Sequence, residues 1–372
     1  MIPRTLATRI LSKIGRGKAI MVIGPRQVGK TTLILKYLEG LDYKFFDGDD
    51  PVTRTSLDTP NTEQIRVLLE NKKVVFIDEA QRINSIGLTM KIIVDQFKDV
   101  QLWISGSSSF SLFNELNEPL TGRKWEYEMF PISWEELEQH TGHLTAERQL
   151  EDRLRFGMYP DVINNPGEEV EILQNLVNSY LYRDILAYAG IKKPDVLDKL
   201  VRALALQVGS EVNYQELSQL VGVDRNTVEK YISVLEKGYV VFRLPSYNRN
   251  VRNEIKKGRK IYFYDNGIRN MIIGSMNEIT LRPDLGALWE NFLISERIKQ
   301  NKYKLTLAKS YFWRTAQQQE IDYVEENGTE LKAYEFKWSP RKKVRLSKTF
   351  TDAYQVEGEV ITRENFRDFV II

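Results

Sequence analysis

Hydrophobic and polar positions along the chain change rhythm three times. The N-terminal third carries short, unbroken apolar runs. Ala19-Ile20-Met21-Val22-Ile23 and Val74-Val75-Phe76-Ile77 are rich in strand formers, the pattern of strands buried on both faces. Gln101-Leu102-Trp103-Ile104 and Trp125 to Met129 predict two more strands, and Thr32 to Leu38 predicts a helix. From about residue 195 the spacing becomes helical. Val196, Leu197, Leu200, Val201 and Leu204 form one apolar stripe, and Leu217, Leu220 and Val221 a second. After the turn Gly222-Val223-Asp224, with Asp224 as N-cap, a third helix buries Val228, Tyr231, Ile232 and Leu235 and stops at Gly238. Tyr239 to Leu244 then reads as a strand. The last third opens with an amphipathic helix over Leu285 to Ile294. Strands follow at Tyr311–Arg314, Ile321–Val324 and Tyr334–Trp338, and Glu326-Asn327-Gly328 supplies a hairpin turn.

Composition narrows the chemistry. At about 150 residues per domain, the 372 residues predict two or three domains. With 42% hydrophobic and 28% charged residues the chain is an ordinary globular one. No apolar run approaches the roughly 20 residues of a membrane span, and Met1-Ile2-Pro3-Arg4 lacks a signal-peptide core, so a cytoplasmic protein without a membrane partner is expected. The absence of cysteine excludes disulfides, thiolate metal sites and a cysteine nucleophile, and the two histidines, His140 and His143, make a histidine metal site an unpromising reading.

The strongest motif follows the first strand at once. Gly24-Pro25-Arg26-Gln27-Val28-Gly29-Lys30-Thr31 matches G-x-x-x-x-G-K-[ST], with Thr32 continuing into the helix. Glycines let backbone N–H groups converge on phosphates, and the helix N-terminus adds its positive end. Lys30 is expected to reach the β- and γ-phosphates of ATP, and the Thr31 hydroxyl to hold Mg2+. The second apolar run ends in Asp78-Glu79: Asp78 for the magnesium, Glu79 as the base for the attacking water. Ser105 and Ser107 follow the next strand as candidate γ-phosphate sensors, although a polar turn explains both equally well.

G-P-R-Q-V-G-K-T, F-I-D-E-A-Q, S-G-S-S, L-T-G-R and F-P-I-S-W-E-E-L together resemble the AAA-type ATPases of bacteria and archaea that carry a C-terminal nuclease-like domain. The resemblance spans nearly the whole chain and is most specific between Met21 and Leu137. It implies an AAA core with a small helical lid and assembly as a homo-oligomeric ring. Arg123 then stands where such proteins carry an arginine finger for a neighbouring subunit; a surface arginine is the alternative. Gly157-Met158-Tyr159-Pro160-Asp161 resembles the family's lid turn, with Met158 where a second glycine is usual. Arg183, in the lid's last helix, is a further nucleotide-sensing candidate, or pairs with a neighbouring acid.

Helix, turn and recognition helix at this spacing form a helix-turn-helix signature, which serves DNA or protein contacts. Arg225 and Lys230 lie on the outer face of the third helix. Net charge is only +2, but Arg243 to Lys260 holds seven basic residues against Glu254, and Lys337 to Lys348 holds six and no acid. Solvated surface is one reading; a basic wing with Lys256, Lys257, Arg259 and Lys260 on DNA phosphates is the other. In the last third, helix Glu290, strand Asp322 and then Glu335-x-Lys337 resemble the PD-(D/E)xK nucleases, including Holliday-junction resolvases. That resemblance implies a second Mg2+ held by Asp322 and Glu335, supported by Glu290, with Lys337 positioning water. An exposed charged strand face, or an inactive nuclease fold kept for DNA binding, explains the same residues.

The expectation is therefore an α/β protein: an AAA-type P-loop ATPase core (1–140), a helical lid (141–194), a winged helix-turn-helix (195–262) and a restriction-endonuclease-like domain (263–372). Its expected function is ATP hydrolysis, with Mg2+, directed at branched, Holliday-junction-like DNA. A nucleotide-dependent switch binding a protein and an ATP-gated nuclease are the alternatives.

Overall fold

The computed structural model describes residues 1–106, 119–179, 193–248, 258–340 and 346–371. They fall into two compact units, Met1–Pro131 with Lys237–Tyr239, and Ile132–Glu236 with Val240–Ile372.

The first unit is built on five parallel strands: β1 (Ala19–Ile23), β2 (Tyr43–Asp47), β3 (Val74–Asp78), β4 (Gln101–Gly106) and β5 (Lys124–Glu128). Their order across the sheet is β2-β3-β4-β1-β5. Every residue of β1 is buried, which is why its sequence shows no alternation. Burying each large aliphatic side chain there is worth about 1.5–3 kcal/mol. Helix α1 (Lys30–Leu38) follows β1, and α2 (Ile86–Gln96) packs Met90 and Ile93 into the same core as Ile77 and Ile104. The strands end together at the edge where Gly24, Asp78 and Ser105 stand. Such carboxyl ends, at the point where strand order reverses, are where α/β sheets bind ligands.

In the second unit, α3 (Trp134–Thr141) starts at a capping box. Ser133 Oγ accepts from the Glu136 N–H (3.2 Å), and Glu136 Oε2 from the Ser133 N–H (3.0 Å), which explains the S-W-E-E string physically. Short helices fill 143–176. Gly157 there has φ +76°, and a Cβ on it would lie 2.1 Å from Asp265 Oδ1. The neighbouring Met158 N–H donates to Asp265 (2.6 Å), so the turn before Pro160 requires the glycine at 157, while Met158 is tolerated after it.

Next come α4 (Pro194–Leu206), β6 (Glu211–Val212), α5 (Tyr214–Val221), α6 (Arg225–Lys237), β7 (Val241–Pro245) and β8 (Arg259–Phe263). The three strands form an antiparallel sheet in the order β6-β8-β7. Asp224 caps α6 as expected, accepting from the Thr227 N–H at 3.0 Å. Helix α7 (Leu285–Lys304) then precedes β9 (Lys309–Arg314), β10 (Glu320–Asn327), β11 (Glu330–Phe336) and β12 (Gly358–Ile361). These strands are ordered β12-β11-β10-β9, antiparallel except for the parallel pair β11/β12. Among the described residues no helix is long and apolar enough to cross a membrane.

Candidate functional site

The loop from Gly24 to Thr31 joins β1 to α1. Gly24 has φ +151°, and a Cβ there would lie 2.0 Å from the Met129 carbonyl oxygen, so only glycine lets the loop leave the sheet at this point. Lys30, 4% exposed, folds back over the loop and donates to the carbonyls of Gly24 (3.1 Å) and Pro25 (2.7 Å). Burial lowers its pKa to about 8, against the opposing pull of Glu79 and Asp78. Thr31 Oγ1 lies 2.9 and 3.0 Å from the two carboxylate oxygens of Asp78. Ser105 Oγ also donates to Asp78, and the Glu79 N–H donates to Ser105 Oγ at 3.3 Å. Burial pushes the Asp78 carboxyl up, while the Ser105 and Thr31 hydroxyls hold it down. Glu79 takes the left-handed conformation, φ +46°, and its carboxylate accepts from Gln81 Nε2.

The structure thus brings Lys30, Thr31, Asp78, Glu79 and Ser105 to one sheet edge. Within the loop Pro25 and Val28 are buried, Arg26 and Gly29 half-buried and Gln27 exposed; Thr32 is exposed on α1. Arg123, just before β5, is bound to Asp95 at 2.7 Å and remains one-third exposed. Ser107 and Arg183 lie outside the described residues. Arg4 had no motif to announce it, and Gln81, the last residue of F-I-D-E-A-Q, had no role assigned to it. Arg4 donates to the Val28 carbonyl (3.0 Å) and the Phe130 carbonyl (2.5 Å), fixing the back of the loop, and Gln81 holds the Glu79 carboxylate. The donor set suits a magnesium–nucleotide pair: a hydroxyl and a carboxylate for the metal, and a buried ammonium with a glycine cradle for phosphate.

A second charged cluster occupies the C-terminal third. Glu290 on α7, Asp322 on β10 and Glu335 on β11 do come together, but with cations already among them. Lys337 Nζ sits 3.0 Å from Glu335 and 3.6 Å from Asp322. Lys260 Nζ lies 3.1 Å from Glu290 and also pairs with Glu320. Burial first, then repulsion from Asp322, push the carboxyls of both Glu290 and Glu335 up to about 7. Lys260 goes the other way: burial lowers its pKa, yet three facing carboxylates hold it above its ordinary value. Tyr262 donates its hydroxyl to Glu290 at 2.5 Å. Among the described residues no three His, Cys, Asp or Glu side chains are grouped to hold a metal ion. The second magnesium expected at Glu290, Asp322 and Glu335 finds no support here, because the ammonium groups of Lys260 and Lys337 already pair with these carboxylates.

Lys260 also corrects the basic wing. It is 1% exposed and cannot meet a phosphate. Successive strand residues face opposite sides, so Arg259 turns outward on β8 while Lys260 points in, 5.4 Å from the centre of the Phe312 ring. Arg225 and Lys230 are exposed on α6 and Arg259 is half-buried. Lys256 and Lys257 lie outside the described residues.

Comparison with known proteins agrees with the first site. Residues 16–138 match the AAA domain model; 147–278 and 285–371 match two families of unknown function, DUF8612 and DUF4143. An uncharacterised protein of Mycobacterium tuberculosis is 29% identical over 331 residues, covering 87% of this chain and 71% of the relative. One of Haemophilus influenzae is 25% identical over 278 residues, covering 68% and 69%. Among solved structures, a Walker-type ATPase of Pyrococcus abyssi aligns with TM-score 0.53 at 14% identity, over 73% of this chain and 96% of that one. The P-loop geometry and the parallel sheet agree with the match of residues 16–138 to the AAA domain model.

Proposed function

We propose that the chain is an ATP-hydrolysing, ring-forming AAA-type ATPase that acts on branched DNA through its C-terminal half. The observation that carries the ATPase reading is the hydrogen-bonded set Thr31–Asp78–Ser105–Glu79 beside the buried Lys30. In this reading Lys30 leaves the Gly24 and Pro25 carbonyls to bind the phosphates. Thr31 and Asp78 would hold Mg2+, which supplies charge neutralisation on the phosphate oxygens. Glu79, released from Gln81, takes the proton from the attacking water, and Ser105 keeps Asp78 and the Glu79 backbone in register. Arg123, released from Asp95, reaches a neighbouring subunit's nucleotide.

The DNA reading is supported by the order helix, strand, two helices, two strands across 194–263. That is the order of a winged helix, with Arg225 and Lys230 exposed on its third helix. In the last third, helix α7 precedes a mixed four-stranded sheet, an arrangement that supports the restriction-endonuclease-like reading. Its acids pair with Lys260 and Lys337, and the buried Lys260, which belongs to no nuclease motif, favours binding over cutting. Measuring ATP turnover without DNA, with duplex and with four-way junctions tests the proposal. Stimulation greatest with junctions is expected. No turnover under any condition overturns the ATPase assignment, and turnover indifferent to DNA overturns the DNA assignment.

A further inference from the structure

Beside the lysine–carboxylate cluster the second unit holds a polar cleft of about 710 Å³. Asn213 to Gln215, at the start of α5, form one side, and Gly258 and Arg259 at the start of β8 another. Arg314 and Gln318, from the β9–β10 connection, and Arg225, from the first turn of α6, complete it. Three guanidinium groups thus face one lining carboxylate, Glu211. Arg314 Nη2 donates to Gln318 Oε1 across the cleft wall. Arg314 stands 3.7 Å from Glu211 and 3.5 Å from Glu320, and Arg259 stands 3.7 Å from Glu229. These are loose pairs with partly exposed carboxylates, the kind that contributes little and yields to a better anion.

Arg259 lies 5.7 Å from the ring centre of Tyr214, which holds the guanidinium on an aromatic face. Tyr214 is itself buried, so its ring is a fixed platform in the cleft wall. Few apolar side chains line the space, Val212 and the Tyr214 ring, so it offers no slot for a base. Arginine forks and carboxamides without an apolar pocket suit phosphate oxygens.

We infer that this cleft binds the phosphodiester backbone of a DNA strand, with Arg225, Arg259 and Arg314 neutralising its phosphates. This rests on the DNA reading above and gives it a location that no linear basic run marks. Arg314 belongs to neither basic stretch, and the cleft unites residues up to a hundred positions apart.

The test uses the full chain and a short fluorescein-labelled duplex, with anisotropy followed across a salt titration. Replacing Arg225, Arg259 and Arg314 together by glutamine should weaken binding about tenfold or more. It should also flatten the plot of log affinity against log salt by about 0.9 for each phosphate that is no longer neutralised. Glu211→Gln should do the reverse and tighten binding. A purely structural role for the arginines predicts the opposite, because that change removes a partner of Arg314. If the triple variant binds like the parent at every salt concentration, the cleft is refuted while the DNA reading stands. If Glu211→Gln weakens binding, the cleft is likewise refuted. If the parent binds no DNA at low salt, both fall together.

Discussion

Replacing Lys260 by methionine should destabilise the second unit strongly at pH 8 and weakly at pH 5. The ammonium is 1% exposed and is shared by Glu290 and Glu320. Removing one partner of a buried ion pair leaves the other charge uncompensated, at a cost of about 3–5 kcal/mol. Glu290 can escape that cost by taking a proton. Even with Lys260 present its carboxyl sits at about 7 against an ordinary 4.5. That raised value corresponds to roughly 3 kcal/mol of preference for the protonated form in the folded state. A carboxyl raised in the fold contributes stability that is complete below its unfolded pKa and lost as pH rises through the folded one, here between about 4.5 and 7. Without Lys260 the folded value climbs further. At pH 5 Glu290 is then neutral, and the methionine rests against Phe312, leaving a cost of about 1 kcal/mol. Hydrogen exchange of β8 and α7 peptides, normalised to intrinsic rates at each pH, reads the difference directly. Lys260→Met combined with Glu290→Gln should recover most of the loss at pH 8. Equal destabilisation at both pH values, or none at pH 8, would refute the view that Lys260 is the cluster's counter-charge.

The nucleotide site yields three further expectations. Lys30→Ala should abolish ATP binding measured by fluorescent-nucleotide titration, and retained affinity would remove Lys30 from the phosphate site. Glu79→Gln should keep ATP affinity but lower kcat by about 10²–10⁴-fold, the usual scale of general-base loss; unchanged turnover would reassign the base. Arg123→Ala should lose turnover with affinity intact, and parent specific activity should rise with protein concentration; equal activity at all concentrations would leave Arg123 as a partner of Asp95 only.

What could be read from the sequence was the part whose chemistry is local along the chain. Gly24 to Thr31 is one continuous loop, and its strand and helix adjoin it, so spacing alone carries the site. Asp78-Glu79 ends a strand too apolar to be mistaken. Asp224 was readable as a cap because a cap needs only its own next three residues. The edge strand β2 was not foreseen: of Tyr43 to Asp47 only Phe46 is buried, so no apolar run marks it. Arg4 lies outside every motif and acts by reaching carbonyls more than twenty residues away.

The charged segments failed for a different reason, and it separates two kinds of inference. A count of basic residues along the sequence treats the chain as a line, and a line has no inside. Once Arg259 and Lys260 enter a strand, alternation sends one to the cleft and the other into the protein. The same pair then does opposite electrostatic work: one is offered to an external anion, the other is consumed by Glu290 and Glu320. The carboxylates follow the same rule from the other side. Glu290, Asp322 and Glu335 were grouped by element order, but a ligand set is defined by what else reaches it. Lys260 comes from a strand that precedes α7 by more than twenty residues, so no spacing between the acids could reveal it. A constellation of acids therefore predicts a metal only when the cations that converge on it are counted too, and here Lys260 and Lys337 already pair with three of them.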